Sequence, residues 1–282
     1  ITVEDPNLIV KINEESGETL LSGMGVLHLE IATSLILETG LEITTTQPLI
    51  NYRETIRNSA GPIMSKSPNK HNKIFMRIEP LGEEIIELIK NGQIHEDLER
   101  KQMAKLLREK GWSADEAKKV SAVDISGNIL VDETKGVQFI QESMDSIRSG
   151  FDDVIHSGPI AHETLRGVKF VLHHFVPHED PAHRGLAQLM PATRRAMLGS
   201  MLLADPALLE PILGMEIKCP QEQIGTVAGI LSGKRGKLLN VEQKGVISII
   251  QGEVPASETF DLSEVMRGGT AGKALWNTYF MT

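Results

Sequence analysis

Residues 211–282 change their apolar spacing in a definite order: strand-like over 212–218, helical over 221–232, strand-like over 238–242 and 246–254, loosely helical over 262–273, and strand-like over 275–281. That order, β-α-β-β-α-β, is the split βαβ arrangement of a ferredoxin-like unit. In its first helix Ile224, Val227, Ala228 and Leu231 share one face. Lys234 and Arg235 near its end, with Gly236 just beyond, are ordinary termination signals.

The 282 residues exceed the usual single-domain size of about 100 to 150, so two or three compact units are expected. The opening reads as a strand over 8–13, a Glu14-Glu15-Ser16-Gly17 turn, a strand over 18–21 and a helix over 26–39 capped by Gly40. A strand over 41–46 leads to Pro48, making a small α/β unit whose amino-terminal half reads as absent. A chain that opens on Ile1 reads as a piece of a longer protein.

The middle region, 51–210, begins with strands over 62–66 and 73–79. They are joined by Ser67-Pro68-Asn69-Lys70-His71-Asn72, a turn-forming composition that projects outward. Helices over 82–90 and 94–110 follow, and Ser113-Ala114-Asp115-Glu116 has the capping-box spacing of a further helix start. A strand pair lies within 122–132, and Val137, Ile140, Met144, Ile147 and Phe151 recur at helical spacing over 136–156. Gly158-Pro159 breaks that helix; Val168, Phe170 and Leu172 alternate in a strand over 164–177; Pro177 and Pro181 force a loop. The next helix takes Pro191 in its first turn and buries Met197, Leu198, Met201 and Leu202.

With 40% hydrophobic and 24% charged residues, the chain is not of a disordered, fibrous or membrane class. No apolar run approaches the roughly 20 residues of a membrane-spanning helix. The single cysteine, Cys219, excludes an internal disulfide framework and fits a reducing compartment, the cytoplasm by default. A formal charge of -9 argues against a generally basic coat for nucleic acid. Two stretches nevertheless lack any acid: Lys66 to Arg77, with Lys70 and Lys73 between, and His183 to Arg195, with Arg184 and Arg194. Such tips can meet phosphates locally.

Five histidines, His162, His173, His174, His178 and His183, crowd into 22 residues and invite a zinc reading. The spacing opposes it: no H-E-x-x-H is present, and Pro177 and Pro181 exclude a helix that would bring them together. No phosphate loop is formed either, because Gly229 stands too near Gly233-Lys234 and Arg235 replaces the magnesium-binding Ser or Thr. The Asn69-Lys70 pair lacks the aspartate of a guanine-reading motif and reads as a solvated turn. No nucleophile elbow or carboxylate pair marks a catalytic centre.

One segment remains: His178-Glu179-Asp180-Pro181-Ala182-His183-Arg184-Gly185, followed by Gln188, Pro191, Thr193 and Arg194-Arg195-Ala196. It resembles the segment of the elongation factor 2 family that carries the histidine converted to diphthamide, and His183 falls on the modified position. Further stretches agree in family order: Gly23-Met24-Gly25-Val26-Leu27-His28-Leu29-Glu30, Tyr52-Arg53-Glu54-Thr55, Ser65 through Lys73, and Leu203-Ala204-Asp205-Pro206. Leu186 and Ala187 after Gly185, in place of a glycine run, look more like the archaeal branch.

The resemblance implies a multidomain α+β protein with ferredoxin-like units flanking an α/β domain like the second domain of ribosomal protein S5. It assigns 1–50 to part of domain III, 51–210 to most of domain IV and 211–282 to domain V. The G domain, domain II and the end of domain IV then lie outside this sequence, so GTP and magnesium belong to the missing G domain and this stretch takes no cofactor or metal. The implied activity is GTP-dependent movement of tRNA and mRNA on the ribosome, domain IV entering the decoding region, with no membrane partner. Diphthamide biosynthesis enzymes and ADP-ribosylating toxins are the other implied partners.

At the tip the implied contacts with rRNA, tRNA and mRNA are Lys66, Pro68, Asn69, Lys70, His71, Lys73, His178, Asp180, Arg184 and Gly185, around a modified His183. Arg194 and Arg195, near a helix start where the dipole disfavours cations, call for an anionic partner, with strand carboxylates first. The rival readings are an elongation-factor-2-like GTPase of ribosome maturation or splicing, and a metallohydrolase built on His173, His174, His178 and Asp180.

Overall fold

The computed structural model describes residues 5–12, 19–23, 26–46 and 50–280. The chain divides into two compact units, one formed by residues 51–209 and the other by residues 1–50 with 210–282.

In the first fifty residues, β1 (Ile9–Ile12) and β2 (Thr19–Ser22) pair antiparallel, with Ile9 opposite Ser22. The expected turn at 14–17 lies outside the described residues, as does Pro48. Helix α1 (Val26–Glu38) ends at Gly40, whose φ of +84° only glycine adopts without strain. The expected strand over 41–46 is not formed: the segment has no regular structure, and no partner strand lies beside it among the described residues. Leu41 and Ile43 satisfy the strand pattern yet remain exposed, because propensity without a neighbour leaves the ladder groups unpaired.

The second unit is built on β3 (Arg53–Ile56), β4 (Ala60–Lys66), β5 (Lys73–Pro80), α2 (Glu83–Lys90), α3 (Arg100–Glu109), α4 (Ala114–Ala117), β6 (Val120–Asp124), β7 (Asn128–Asp132), α5 (Ile140–His156), β8 (Val168–Val176), α6 (Leu186–Leu203) and β9 (Pro206–Leu209). Five strands form one sheet in the order β4-β5-β8-β7-β6. Only β7 and β8 run parallel, and α5 supplies the crossover that a parallel pair requires. Sequence alternation misses β3 and β9, a separate antiparallel pair with Arg53 opposite Leu209.

The sheet is covered on both faces. Ile74, Met76, Ile78, Phe170 and Leu172 pack beneath α5 and α6, with Phe151 edge-on to Phe170 at 5.9 Å. Ile129, Val131 and Val171 pack beneath Ile85, Ile86 and Ile89 of α2 and Met103, Ala104 and Leu107 of α3. Burying each of these side chains contributes about 1.5 to 3 kcal/mol before entropy. Double cover also explains why residues 168–172 are all buried where the alternation of Val168, Phe170 and Leu172 suggests a half-buried strand. Helices α5 and α6 approach closely at Gly150, where a Cβ would stand 2.7 Å from the Thr193 side chain.

Several helix starts depart from expectation for local reasons. Helix α3 begins at Arg100 and not at 94, because residues 91–99 are taken up by turns, with Gly92 at φ +68°. Helix α5 begins after Phe139, which sits at φ 60° and cannot continue a right-handed helix. Ser113 caps α4 through its hydroxyl, which accepts from the Glu116 amide at 3.2 Å, but Glu116 turns its carboxylate to Lys169 instead of closing the box. Helix α6 starts at Leu186, so Pro191 lies inside it and not in the first turn. Gly185 accepts from the amides of Gln188 and Leu189 and begins the helix early. On α6, Met197 and Met201 are buried as expected and Leu198 packs partly against the core, but Leu202 is exposed. Ser200 takes part of the inward face, donating to the Met76 carbonyl at 2.9 Å.

Residues 210–282 realise the split βαβ plan. Strands β10 (Ile212–Pro220), β11 (Lys237–Lys244), β12 (Ile247–Pro255) and β13 (Leu275–Phe280) form an antiparallel sheet ordered β11-β12-β10-β13. Helices α7 (Ile224–Gly233) and α8 (Leu262–Gly269) cover Met215, Ile217, Ile250 and Val254 with Val227, Leu231 and Met266. The left-handed residue ending α7 is Arg235, at φ 54°, not Gly236. Glu210 and Glu258 hold its guanidinium.

Candidate nucleic-acid interface

The β4–β5 hairpin carries its turn, residues 67–72, alongside the loop 177–185 that leads into α6, and polar side chains bind the two into one tip. Within the turn, the Ser67 amide donates to the Asn72 carbonyl at 3.0 Å and the Lys70 amide to the Ser67 carbonyl at 2.8 Å, with Lys70 at φ 65°. The Ser67 hydroxyl donates to Asn69 Oδ1 at 2.5 Å and accepts from Asn72 Nδ2 at 3.0 Å. Asn72 then reaches across: its Nδ2 donates to the His183 carbonyl at 2.7 Å and its Oδ1 accepts from the His178 amide at 2.9 Å. Asn69 Nδ2 donates to the same His183 carbonyl at 2.9 Å, while the Asn69 amide donates to Gln188 Oε1 on α6 at 2.9 Å. The backbone of His183 is thus fixed by two amide side chains from the hairpin.

Three imidazoles meet above this latch. The ring centroids of His71 and His178 are 4.9 Å apart, those of His71 and His183 5.1 Å, and those of His178 and His183 4.8 Å. The His183 side chain is 45% exposed: a reagent can reach it, but it leans on its neighbours and does not project freely. Asp180 lies with a carboxylate oxygen 3.9 Å from His183 Nε2 and caps the turn at 181–183 by accepting from the Ala182 amide at 2.9 Å.

Lys66, Lys70 and Lys73 are exposed around the tip, as are Pro68 and Gly185, and among the described residues no carboxylate pairs with these lysines. Lysines without local acid partners hold an uncompensated positive field, the requirement for sequence-independent phosphate contact. Arg184 corrects the expectation of a surface contact. It is buried, its guanidinium donates to the carbonyls of His178 at 3.1 Å and Glu179 at 2.5 Å, pairs with Glu142 on α5 and stacks on Phe139 at 4.0 Å. It clamps the loop from within. Arg194 and Arg195 stand in the middle of α6, so the dipole argument lapses. Arg194 pairs with Asp153 of helix α5 at 2.5 Å, where a strand carboxylate was expected, and Arg195 donates to the Lys66 carbonyl at 2.6 Å.

The metallohydrolase constellation is not assembled. His173 is held by Glu133 at 3.0 Å, His174 lies against Phe75, and His178 stands in the tip. Among the described residues no group of three or more His, Cys, Asp and Glu is arranged to hold a metal. The Gly233-Lys234 pair ends α7, with Lys234 bound to Asp261 at 2.6 Å. No helix among the described residues is long and apolar enough to cross a membrane.

Three family models match parts of the chain. The model of elongation factor G, domain III, matches residues 1–47, that of elongation factor G, domain IV, residues 92–205, and that of the elongation factor G C-terminus residues 207–282. The matched stretches, the split βαβ unit among them, are therefore those of the elongation-factor-G class of translation factors. Elongation factor 2 of Cenarchaeum symbiosum (strain A) is 57% identical over 280 residues, which is 99% of this chain and 38% of that protein. Elongation factor 2 of Metallosphaera sedula is 49% identical over 282 residues with the same shares of each chain. A crystal structure of a protein from Thermus thermophilus matches with a TM-score of 0.69 at 24% identity, covering 100% of this chain and 36% of that one, and shows the fold alone. The chain belongs to the elongation factor 2 family, and it spans 38% of the length of these curated relatives.

Proposed function

We propose that this chain is the arm-bearing part of a GTP-driven ribosomal translocase, and that its tip contacts RNA in the decoding region behind the moving tRNA and mRNA. The observation that carries the reading is a hydrogen-bonded tip with three exposed lysines lacking acid partners among the described residues, arranged around the amide-latched His183. GTP hydrolysis in a G domain outside this chain would drive the arm, and the arm would keep tRNA from slipping back. The absence of a spanning helix among the described residues and the single buried cysteine are compatible with cytoplasmic work.

Charge reversal at Lys66, Lys70 and Lys73 in the full-length factor tests the reading, because these contacts act on RNA and not on the nucleotide. Translocation should slow more than GTP hydrolysis falls; equal losses would overturn it. The family modification is proposed for His183, which would extend the ring with a trimethylammonium and an amide toward the wide, shape-read minor groove of paired RNA. Native full-length factor should carry diphthamide there and accept ADP-ribose from diphtheria toxin, whereas bacterially made protein should carry plain histidine. Peptide mass mapping over residues 168–194 decides: an unmodified His183, or the added mass on His178, would refute the assignment.

A further inference from the structure

We infer that the exposed face of α3, with the groove beside Trp112, is a second binding site for unpaired RNA, on the opposite face of the five-stranded sheet from α5 and α6 and remote from the tip. The site goes beyond the proposed tip contact and does not depend on it. Arg100, Lys101, Lys105 and Arg108 are exposed, and among the described residues no carboxylate pairs with any of them, whereas Lys110 next to them is bound to Glu84 at 3.0 Å. Lys101, Lys105 and Arg108 follow one another at helical spacing, so they form one stripe. The arrangement costs stability twice. Like charges at that spacing repel, and Arg100 and Lys101 occupy the first turn, where the dipole disfavours cations and no acid offsets them. In a chain of net charge -9, such a stripe is a local positive field that an anion outside the fold relieves.

The stripe leads to an aromatic ring. Lys105, Arg108, Glu109, Gly111, Trp112 and Ala114 line an open groove of about 810 Å³, within the range of about 300 to 1,000 Å³ typical of small-molecule sites and so roomy enough for a nucleotide. Trp112 is half-buried, and Lys169, nine-tenths buried and bound to Glu79 and to Glu116 at 2.7 Å, places its Nζ 4.8 Å from the centre of the Trp112 ring. That contact fixes the indole on one side, while the residue borders the groove. A cationic track beside a fixed aromatic ring is the arrangement that binds single strands: phosphates follow the cations and a base stacks on the ring. An acidic polypeptide would satisfy the cations but leave the ring without a partner. Glu109, exposed at the groove, repels phosphate and keeps the backbone on the side of Lys105 and Arg108. Lys169 stands near the start of β8 (Val168–Val176), whose far end meets the tip loop, and at about 3.3 Å per residue the separation along the strand is roughly 23 Å. RNA bound here and RNA at the tip are separate contacts.

The test follows Trp112 fluorescence in a Trp276→Phe background, which leaves a single tryptophan in the chain, during titration with an oligouridylate of about ten nucleotides. Saturable quenching is expected. Three phosphate contacts on a single strand give a salt slope of roughly -2, so raising the salt from about 50 to about 200 mM should weaken binding roughly twenty-fold. Neutralising the stripe with Lys101→Gln, Lys105→Gln and Arg108→Gln should weaken binding at the lower salt by at least as much, with helix content by circular dichroism unchanged. The salt slope of the unsubstituted stripe gives a second reading that needs no change to α3. Charge reversal of the tip lysines, Lys66, Lys70 and Lys73, should leave the quenching as it is. Absence of saturable quenching, a salt slope near zero, or quenching that survives neutralisation of the stripe overturns the site, as does tighter binding of a polyglutamate peptide of the same length; each leaves the tip reading standing. Quenching lost with the tip lysines but kept without the stripe assigns the RNA to the tip and overturns this site.

Discussion

Replacing Asn72 is the sharpest perturbation of the tip. The residue is fully buried, and its side chain makes three hydrogen bonds, to Ser67 Oγ at 3.0 Å, to the His183 carbonyl at 2.7 Å and from the His178 amide at 2.9 Å. Asn72→Ala removes all three. At about 1 kcal/mol for each bond the loss is roughly 3 kcal/mol, and the His178 amide is left without its acceptor, while the His183 carbonyl keeps Asn69. Asn72→Asp is nearly isosteric but turns a donor into a second acceptor, which then faces the His183 carbonyl and buries a charge. At neutral pH it should cost at least as much as alanine, and less once the new carboxyl is protonated.

Trp112 lies against the α2–α3 core and Trp276 in the carboxy-terminal unit, so Trp112 fluorescence in a Trp276→Phe background isolates unfolding of residues 51–209. For a unit of this size about 3 kcal/mol lowers the midpoint by roughly 6 to 12 °C. If the tip opens locally before the rest, the loss appears as faster exchange of the His178 amide. Unchanged midpoint and unchanged exchange in the alanine variant, or an aspartate variant milder than alanine at neutral pH, would refute the latch.

Glu54 is fully buried and accepts from the amides of Ile160 at 2.9 Å, Ala161 at 2.8 Å and Glu163 at 3.2 Å, so Glu54→Gln sets an amide donor against a backbone donor and should cost about 2 to 4 kcal/mol by the same assay. Glu133 has its carboxyl held below the usual range by the His173 hydrogen bond, and then by Arg77 and His173 charge. A depressed acid stabilises the fold above its unfolded pKa and loses that effect as pH falls through the folded one. Glu133→Gln should therefore lower the thermal midpoint near neutrality, and the gap should close in acid. Calorimetric titration of this chain with GTP and magnesium should give no saturable one-to-one heat, since Lys234 is paired with Asp261 and no phosphate loop is formed.

The split βαβ unit was legible from apolar spacing because its helices bury one face only, as Val227 and Leu231 on α7 show, although β11 is exposed along its whole length. The central strand β8, covered on both faces, hides its period, and β3 and β9, four residues each, pair across some 150 positions, with β3 also bridged to Leu165. The basic stretches of the tip were legible as composition. Its latch was not, because Asn72 finds His178 106 residues away, and a turn asparagine in a polar run looks the same whether it faces water or a partner. Arg184 misled for the complementary reason: in a basic loop it reads as a contact, and only Glu142 and Phe139, some 40 residues earlier, reveal a clamp.

The pairing of β3 with β9 places Arg53 opposite Leu209, so the polypeptide enters and leaves the arm at neighbouring points. In mechanical terms the arm is a cassette on a two-strand stem: load arriving through either strand is shared with the other by a ladder of four residue pairs.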